Sequence, residues 1–383
     1  MIATTLFGLE QVVADELLDL GASDIEILNR AVKFFGDKEL LYKSNLYLHT
    51  ALKVLKPFAQ LELRDEEDLY KKIKSIDWEQ FMSVDGTLAI DATVNGETFT
   101  HSQFVALKSK DAIVDQFREK YDRRPSVDLE NPDLKINLHI RDRECSVSLD
   151  SSGLPLGKRG YRKAQSMAPL SEVLAAGIII LSGWDQKRDF RDPMCGSGSF
   201  SIEAAMMACN MAPGRFRNFT FENWLDFDTE LWGKIKKEEE SNIVIPTCKI
   251  YTSDMDQRSV EIAESNATYA QVNQYIEFKQ ADFLDPENQI SDSTIIMNPP
   301  YGERMRDADE IIPFYQEIGT QLKHHCEGSD AWIISSNLRA LKFVGLRPSR
   351  KIKLFNGPLE CRLQKFELFK GKKSERHLNE QDN

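Results

Sequence analysis

The chain has 383 residues, 41% of them hydrophobic and 29% charged, a composition that suits a globular protein and a length that implies two or three domains. No apolar run approaches the roughly 20 residues that cross a bilayer, which excludes a helical membrane protein. The N-terminus carries Glu10, Asp15 and Glu16 with no basic segment ahead of an apolar one, so it reads as mature structure and a cytoplasmic location is expected. The formal net charge of −12 argues against a nucleic-acid partner only if charge is spread evenly, and it is not. Acids crowd into 62–68 and 238–240. Bases gather at Lys158, Arg159, Arg162 and Lys163, and again at Arg339, Lys342, Arg347, Arg350, Lys351 and Lys353. An acidic body with basic faces remains compatible with RNA, although each cluster alone can equally be a solvated face.

In chain order, the first fifty residues predict a small α+β unit: a strand over 2–5, a helix over 9–20 stopped by Gly21, and strands over 25–28 and 31–35. A second α+β region runs over 43–150, with helices at 66–73 and 109–120 and strands at 88–94, 135–141 and 144–149. The last two alternate apolar and polar residues around Asp142-Arg143 and read as a hairpin. A connector over 151–168 leads into a helix from Pro169 to Ser182. From there strand and helix alternate, with strands at 188–192, 249–253, 276–280, 294–298, 331–335, 351–355 and 363–369. Such alternation implies a parallel sheet covered on both faces. The last two strands are joined only by Asn356-Gly357-Pro358, too short for a crossover, so they must be antiparallel. Seven strands with one reversed at the end is the plan of a class I S-adenosylmethionine-dependent methyltransferase. The expected division is 1–42, 43–150, a 151–168 linker, a catalytic domain over 169–370 and a flexible tail over 371–383.

Two segments carry the chemistry. Asp192-Pro193-Met194-Cys195-Gly196-Ser197-Gly198-Ser199 leaves the first strand of the parallel sheet, where ligands of open α/β sheets bind. Gly196 and Gly198 let the backbone approach a ligand, and the helix expected over 200–209 aims its positive end at an anion. For S-adenosylmethionine that anion is the carboxylate, and Asp192 can receive the amino group. A Gly-x-Gly pair also serves dehydrogenases and plain tight turns. Asp254, at the next strand tip, can accept both ribose hydroxyls or can cap a helix beside Asp256, which reads as the N-cap of the helix from Gln257. Asp282 can accept from the adenine amino group or merely close its strand, and Phe283 can pack near the ring. Their agreement in order counts for more than any member.

Asn298-Pro299-Pro300-Tyr301 follows the apolar strand ending at Met297 and is the most specific signal in the chain. An exocyclic base amine is a poor nucleophile that becomes cationic on methylation, so acceptors must meet the developing charge. The Asn298 side-chain oxygen and the Pro299 carbonyl can accept the two amine protons. Proline brings no competing N–H, and Tyr301 offers an aromatic face to a base taken out of its stack.

These segments, with Ile202-Glu203-Ala204-Ala205, Gly160-Tyr161-Arg162, Ala168-Pro169-Leu170 and Gly302-Glu303-Arg304, resemble the bacterial THUMP-domain RNA methyltransferases that modify guanine N2 of 23S ribosomal RNA. The likeness covers most of the chain. It implies a ferredoxin-like piece followed by a THUMP domain that grips RNA, S-adenosylmethionine as cofactor, and catalytic roles for Asn298, Pro299, Pro300 and Tyr301. It also implies cofactor contacts from Asp192, Cys195, Gly196, Ser197, Gly198, Ser199, Asp254, Asp282, Phe283 and Asn298. Lys158, Arg159, Arg162, Lys163 and Arg304 are the expected RNA contacts. Ser199 stands where threonine is commoner in that family, and one catalytic domain is expected rather than the two of its bifunctional members. A DNA adenine-N6 methyltransferase and a non-catalytic RNA-binding assembly factor are the rival readings. No metal, membrane or obligate protein partner is expected. His324, His325 and Cys326 read as a helix end. The six cysteines show no CxxC spacing and read as packed thiols. Phe216, Phe219, Phe221 and Trp224 read as core rather than as the lining of a base entrance.

Overall fold

The computed structural model describes residues 1–163, 170–301 and 311–369. They form two compact units, one gathering Met1–Thr5, Val13–Lys158 and Arg217–Glu238, the other Leu6–Val12, Arg159–Phe216 and the chain from Glu239 onward. Among the described residues no helix is long and apolar enough to cross a membrane.

The chain opens with β1 (Ile2–Thr5), α1 (Glu10–Asp19), β2 (Ser23–Leu28), β3 (Ala31–Phe35), α2 (Lys38–Tyr47) and β4 (Ala51–Glu62). It continues through α3 (Glu66–Ser75), β5 (Thr87–Asn95), α4 (Ser102–Tyr121), β6 (Ser126–Val127), β7 (Leu134–Arg141) and β8 (Glu144–Asp150). All eight strands join one sheet in the order β2-β3-β1-β4-β8-β7-β5-β6. The central strand β4 is an element the sequence analysis does not predict, and it carries Pro57, which lacks the N–H that a strand interior uses. It is tolerated here because the ladder with β8 shifts register between Pro57 and Ala59, so the missing N–H falls at an irregularity. β4 pairs with β1 on one side and β8 on the other, so both α+β regions share a single sheet. The expected break at residue 42 falls inside α2, whose N-cap Asp37 accepts from the Leu40 N–H. α4 begins at Ser102 rather than 109. The β7/β8 hairpin has the expected register, Ile140 opposite Cys145, with Asp142 turning at φ 55°.

The second sheet is built from β9 (Phe190–Asp192), β10 (Ile250–Asp254), β11 (Ile276–Gln280), β12 (Thr294–Met297), β13 (Asp330–Ser335), β14 (Arg350–Asn356) and β15 (Leu359–Glu367). Its order is β11-β10-β9-β12-β13-β15-β14, parallel from β11 to β13 and with β15 reversed between β13 and β14. Helices α5 (Glu172–Ser182), α6 (Ser199–Ala208), α7 (Thr229–Ser241), α8 (Gln257–Tyr269) and α9 (Ile311–His325) intervene. Pro169, expected to start α5, lies outside the described residues, as does the tail from 370. The chain runs outward from β9 to β11 and then returns to β12, which makes the carboxyl ends of β9 and β12 the switch point of the sheet. The insertion before β10 belongs mainly to the first unit. There Phe219, Phe221 and Trp224 are buried, and Tyr42 stacks on Phe221 with ring centroids 4.4 Å apart, which accords with core. Phe216 is half-buried.

Candidate cofactor and acceptor site

The loop after β9 is wired to its neighbours through its backbone. The Cys195 N–H donates to the Ser253 carbonyl at 3.0 Å, the Gly196 N–H to Asp254 Oδ2 at 3.0 Å and the Gly198 N–H to the Cys195 carbonyl at 2.8 Å. Gly198 has φ 82°, and a Cβ there would stand 2.9 Å from Ala263 Cβ of α8, so only glycine lets loop and helix approach this closely. Ser197 is buried and its carbonyl accepts from Asn266 Nδ2 at 3.1 Å. The loop ends at the N-terminus of α6, where unpaired N–H groups and the helix dipole favour an anion.

Asp192 is 1% exposed. Its Oδ2 accepts from the Ser201 hydroxyl at 3.0 Å, whereas Oδ1 is buried with no hydrogen-bond partner. Burial pushes the carboxyl up to about 7; the Ser201 hydroxyl works against the rise and the Asp254 charge adds to it. An orphaned, desolvated carboxylate oxygen beside a glycine loop is the partner an ammonium group requires, so these residues fit the amino-acid end of S-adenosylmethionine. Asp254 is half-buried, with Oδ1 accepting from the Asp256 N–H at 3.0 Å and Oδ2 held by Gly196, so it braces the loop at the strand tip where ribose is expected. Asp256 is the N-cap of α8, as read. Asp282 is exposed, with Oδ1 taken by its own turn through the Leu284 N–H at 2.9 Å. Phe283 is buried and helps wall a cavity of about 310 Å³ with Pro193, Tyr251, Ser253 and Ala281. Burial, then the nearby aspartates, pushes the Cys195 thiol far up, which leaves it a packing group and no nucleophile.

The acceptor loop leaves β12, which lies beside β9 in parallel register, Ile295 opposite Arg191. Both loops therefore emerge along one edge. Asn298 is half-buried, and its Oδ1 accepts from the Tyr301 hydroxyl at 2.7 Å. This corrects the expectation that Tyr301 simply presents a ring face: its hydroxyl occupies the oxygen expected to receive an amine proton, and burial pushes it well above the usual phenol range. The loop carbonyls are also held. Asn337 Nδ2 donates to the Tyr301 carbonyl at 3.0 Å, and the Tyr315 hydroxyl reaches the Pro300 carbonyl at 3.4 Å while pairing with Ser335 Oγ at 2.7 Å. Asn337 Oδ1 in turn accepts from the Ala340 N–H at 2.9 Å. Sequence reasoning missed Asn266, Tyr315, Ser335 and Asn337. A signal existed for the last two, since polar Ser335-Ser336-Asn337 closes an apolar strand next to β12. Gly302, Glu303 and Arg304 lie outside the described residues.

The expected RNA contacts divide. Lys158 and Lys163 are exposed. Arg159 is 1% exposed and is a correction: its Nε and one terminal nitrogen each lie 3.3 Å from Glu203, which also accepts from the Tyr161 hydroxyl at 2.9 Å. Burial works against the guanidinium charge, and Glu203 more than restores it, so Arg159 is held in the interior away from any phosphate. Arg162 is a second correction. It binds Glu172 at 2.6 Å and the hydroxyls of Ser197 and Ser199 at 2.9 Å each, and so braces the glycine loop. Among the described residues no cluster of His, Cys, Asp and Glu could hold a metal ion. Cys326 is buried beyond the end of α9.

Comparison with known proteins places the chain in a family. Residues 159–365 match the family described as RMKL-like, methyltransferase domain; residues 64–150 match the THUMP domain and residues 1–55 the RlmL ferredoxin-like domain. The chain is 41% identical over 372 residues to a putative RNA methyltransferase, slr0064, of Synechocystis, covering 96% of each protein. It is 38% identical over 379 residues to ribosomal RNA large subunit methyltransferase K/L of Syntrophotalea carbinolica, covering 96% of this chain but only 53% of that protein. The crystal structure of SMU.472, a putative methyltransferase complexed with SAH, superposes with a TM-score of 0.86 at 32% identity over 97% of this chain and 98% of that one. With an orphaned Asp192 oxygen beside a glycine loop and a shared profile along nearly its whole length, the chain belongs to the RMKL-like, S-adenosylmethionine-dependent methyltransferases that carry RlmL ferredoxin-like and THUMP domains.

Proposed function

We propose that this methyltransferase modifies the exocyclic N2 amino group of a guanine in 23S ribosomal RNA. The observation that carries the reading is the emergence of the Asp192 loop and the Asn298 loop from adjacent parallel strands, β9 and β12, on one rim. The THUMP match and the names of the K/L and slr0064 relatives support RNA as the substrate. When bound, S-adenosylmethionine supplies an electrophilic methyl group on a sulfonium centre. Asp192 Oδ1 would receive its amino group, the N-terminus of α6 would meet its carboxylate, and Asp254, which keeps Gly196 in place, would hold its ribose. Asn298 Oδ1 exchanges the Tyr301 hydroxyl for one amine proton of the extruded base, and the Pro299 carbonyl takes the other. No strong base is needed: the nitrogen gains the methyl group as the methyl's bond to the sulfonium sulfur breaks, becomes acidic, and releases its surplus proton to solvent water. The displaced Tyr301 leaves its ring beside the base, with its backbone still anchored by Asn337.

The test is to incubate the protein with labelled S-adenosylmethionine and either unmodified ribosomal RNA or duplex DNA, then identify the modified nucleoside by mass spectrometry. N2-methylguanosine from the RNA is expected. Methyladenine in DNA, or another methylated nucleoside in RNA, would overturn the assignment.

A further inference from the structure

From Ala331 to Leu359 the chain carries no carboxylate, although acids outnumber bases 61 to 49 overall. This stretch contains the short helical turn Ala340–Val344 and β14, the edge strand of the sheet. The turn is two-sided. Ala340, Leu341 and Val344 are buried against the core beside α9, and Val344 sits so close that a Cβ added at Gly319 would lie 1.7 Å from its carbonyl oxygen. Arg339, Lys342 and the 37%-exposed Phe343 face outward, followed by exposed Arg347 and Lys351. Lys353 is paired with Glu360 at 2.6 Å and Arg350 with the Leu181 carbonyl at 3.3 Å, so these two bases have structural uses, whereas among the described residues no ion pair or hydrogen bond engages the side chains of the other four. The strip begins at the acceptor loop itself, since Asn337 holds the Tyr301 carbonyl and caps the turn through Ala340.

A rigid platform bearing like charges is unfavourable unless something negative lies against it. A nucleic-acid backbone supplies evenly spaced negative charge, and an exposed aromatic among the cations gives an unstacked base a surface. We propose that Arg339, Lys342, Arg347 and Lys351 form a backbone-docking strip for the RNA immediately flanking the target nucleotide, with Phe343 stacking on a neighbouring base. The proposal rests on the RNA reading above. It assigns part of RNA capture to the catalytic unit, separately from the THUMP-bearing unit.

The test compares the full chain with the double variant Lys342→Ala/Arg347→Ala and with a control, Lys187→Ala/Lys249→Ala. The control removes the same charge from exposed positions at the amino ends of β9 and β10, the opposite rim of the sheet. Binding to unmodified ribosomal RNA is measured across salt concentrations. Each lost phosphate contact should lower the slope of log K against log salt by about 0.7 to 0.9, so the strip variant should lose about 1.5 and the control nothing. Affinity for S-adenosylmethionine should be unchanged in both. Equal slopes for strip variant and wild type, or an equal loss in the control, would overturn the strip while leaving RNA as substrate. Wild-type protein that neither binds nor methylates the RNA would overturn the RNA reading and the strip together.

Discussion

Asp192→Asn should make the cofactor-free protein more stable and the cofactor site weaker. Asp192 titrates near 7 in the fold, against an ordinary value of 3.8, chiefly because it is buried. Between those values the native carboxyl holds a proton that the unfolded chain has released, so stability falls as pH rises through this window and the full penalty stands above about 7. At pH 8 that penalty is about 4 kcal/mol. Asparagine keeps an oxygen for the Ser201 hydroxyl and carries no charge, so it removes most of the penalty. With about 2 to 4 °C of melting temperature per kcal/mol for a unit of this size, the variant should melt roughly 10 °C higher at pH 8, and the gain should vanish near pH 4. The same change deletes the charge that meets the cofactor's amino group, a loss of about 2 to 5 kcal/mol for a buried charge pair, or roughly thirty-fold to several thousand-fold in affinity. Differential scanning fluorimetry from pH 4 to 8.5, with calorimetric titration of S-adenosylmethionine, reads both effects. A variant that melts at or below wild type at pH 8, or that binds the cofactor within three-fold of wild type, would refute the reasoning.

Asn298→Ala should abolish methyl transfer yet leave S-adenosylmethionine affinity within about two-fold, because the lost oxygen serves the base amine; retained turnover with ribosomal RNA would remove Asn298 from the mechanism. Asn337→Asp keeps the acceptor for the Ala340 N–H but loses the donor to the Tyr301 carbonyl, so turnover at pH 8 should fall about ten- to a hundred-fold. Turnover of this variant within about three-fold of wild type at pH 8 would show that Asn337 is not positioning the loop. Glu203→Ala leaves Arg159 buried without its carboxylate and takes an acceptor from Tyr161, which should cost about 3 to 5 kcal/mol and lower the melting temperature by roughly 10 °C. A shift below 2 °C would show that Arg159 finds water or another partner.

The parts of this protein that were legible in its sequence are those encoded locally. Strand positions in the catalytic sheet and its reversed final pair followed from apolar runs and the Asn356-Gly357-Pro358 turn, and Asp256 read correctly as a cap because capping is settled within three residues. Motif spacing marked out the glycine loop and the Asn-Pro-Pro-Tyr loop for the same reason. What escaped is decided by residues far away in the chain. Strand β4 exists despite Pro57 because two other strands pair with it, and the aromatics after residue 216 pack around Tyr42, far earlier in the chain. A row of basic residues looks the same in sequence whether it faces solvent or a buried carboxylate. Glu203 and Glu172 turn Arg159 and Arg162 inward, whereas the packing of the 340–344 turn on α9 turns Arg339 and Lys342 outward. Sequence by itself determined which chemical groups the chain can offer; only the tertiary structure decided which of them are spent on one another, because the partner that neutralises a charge or fills an acceptor is chosen by distance in space.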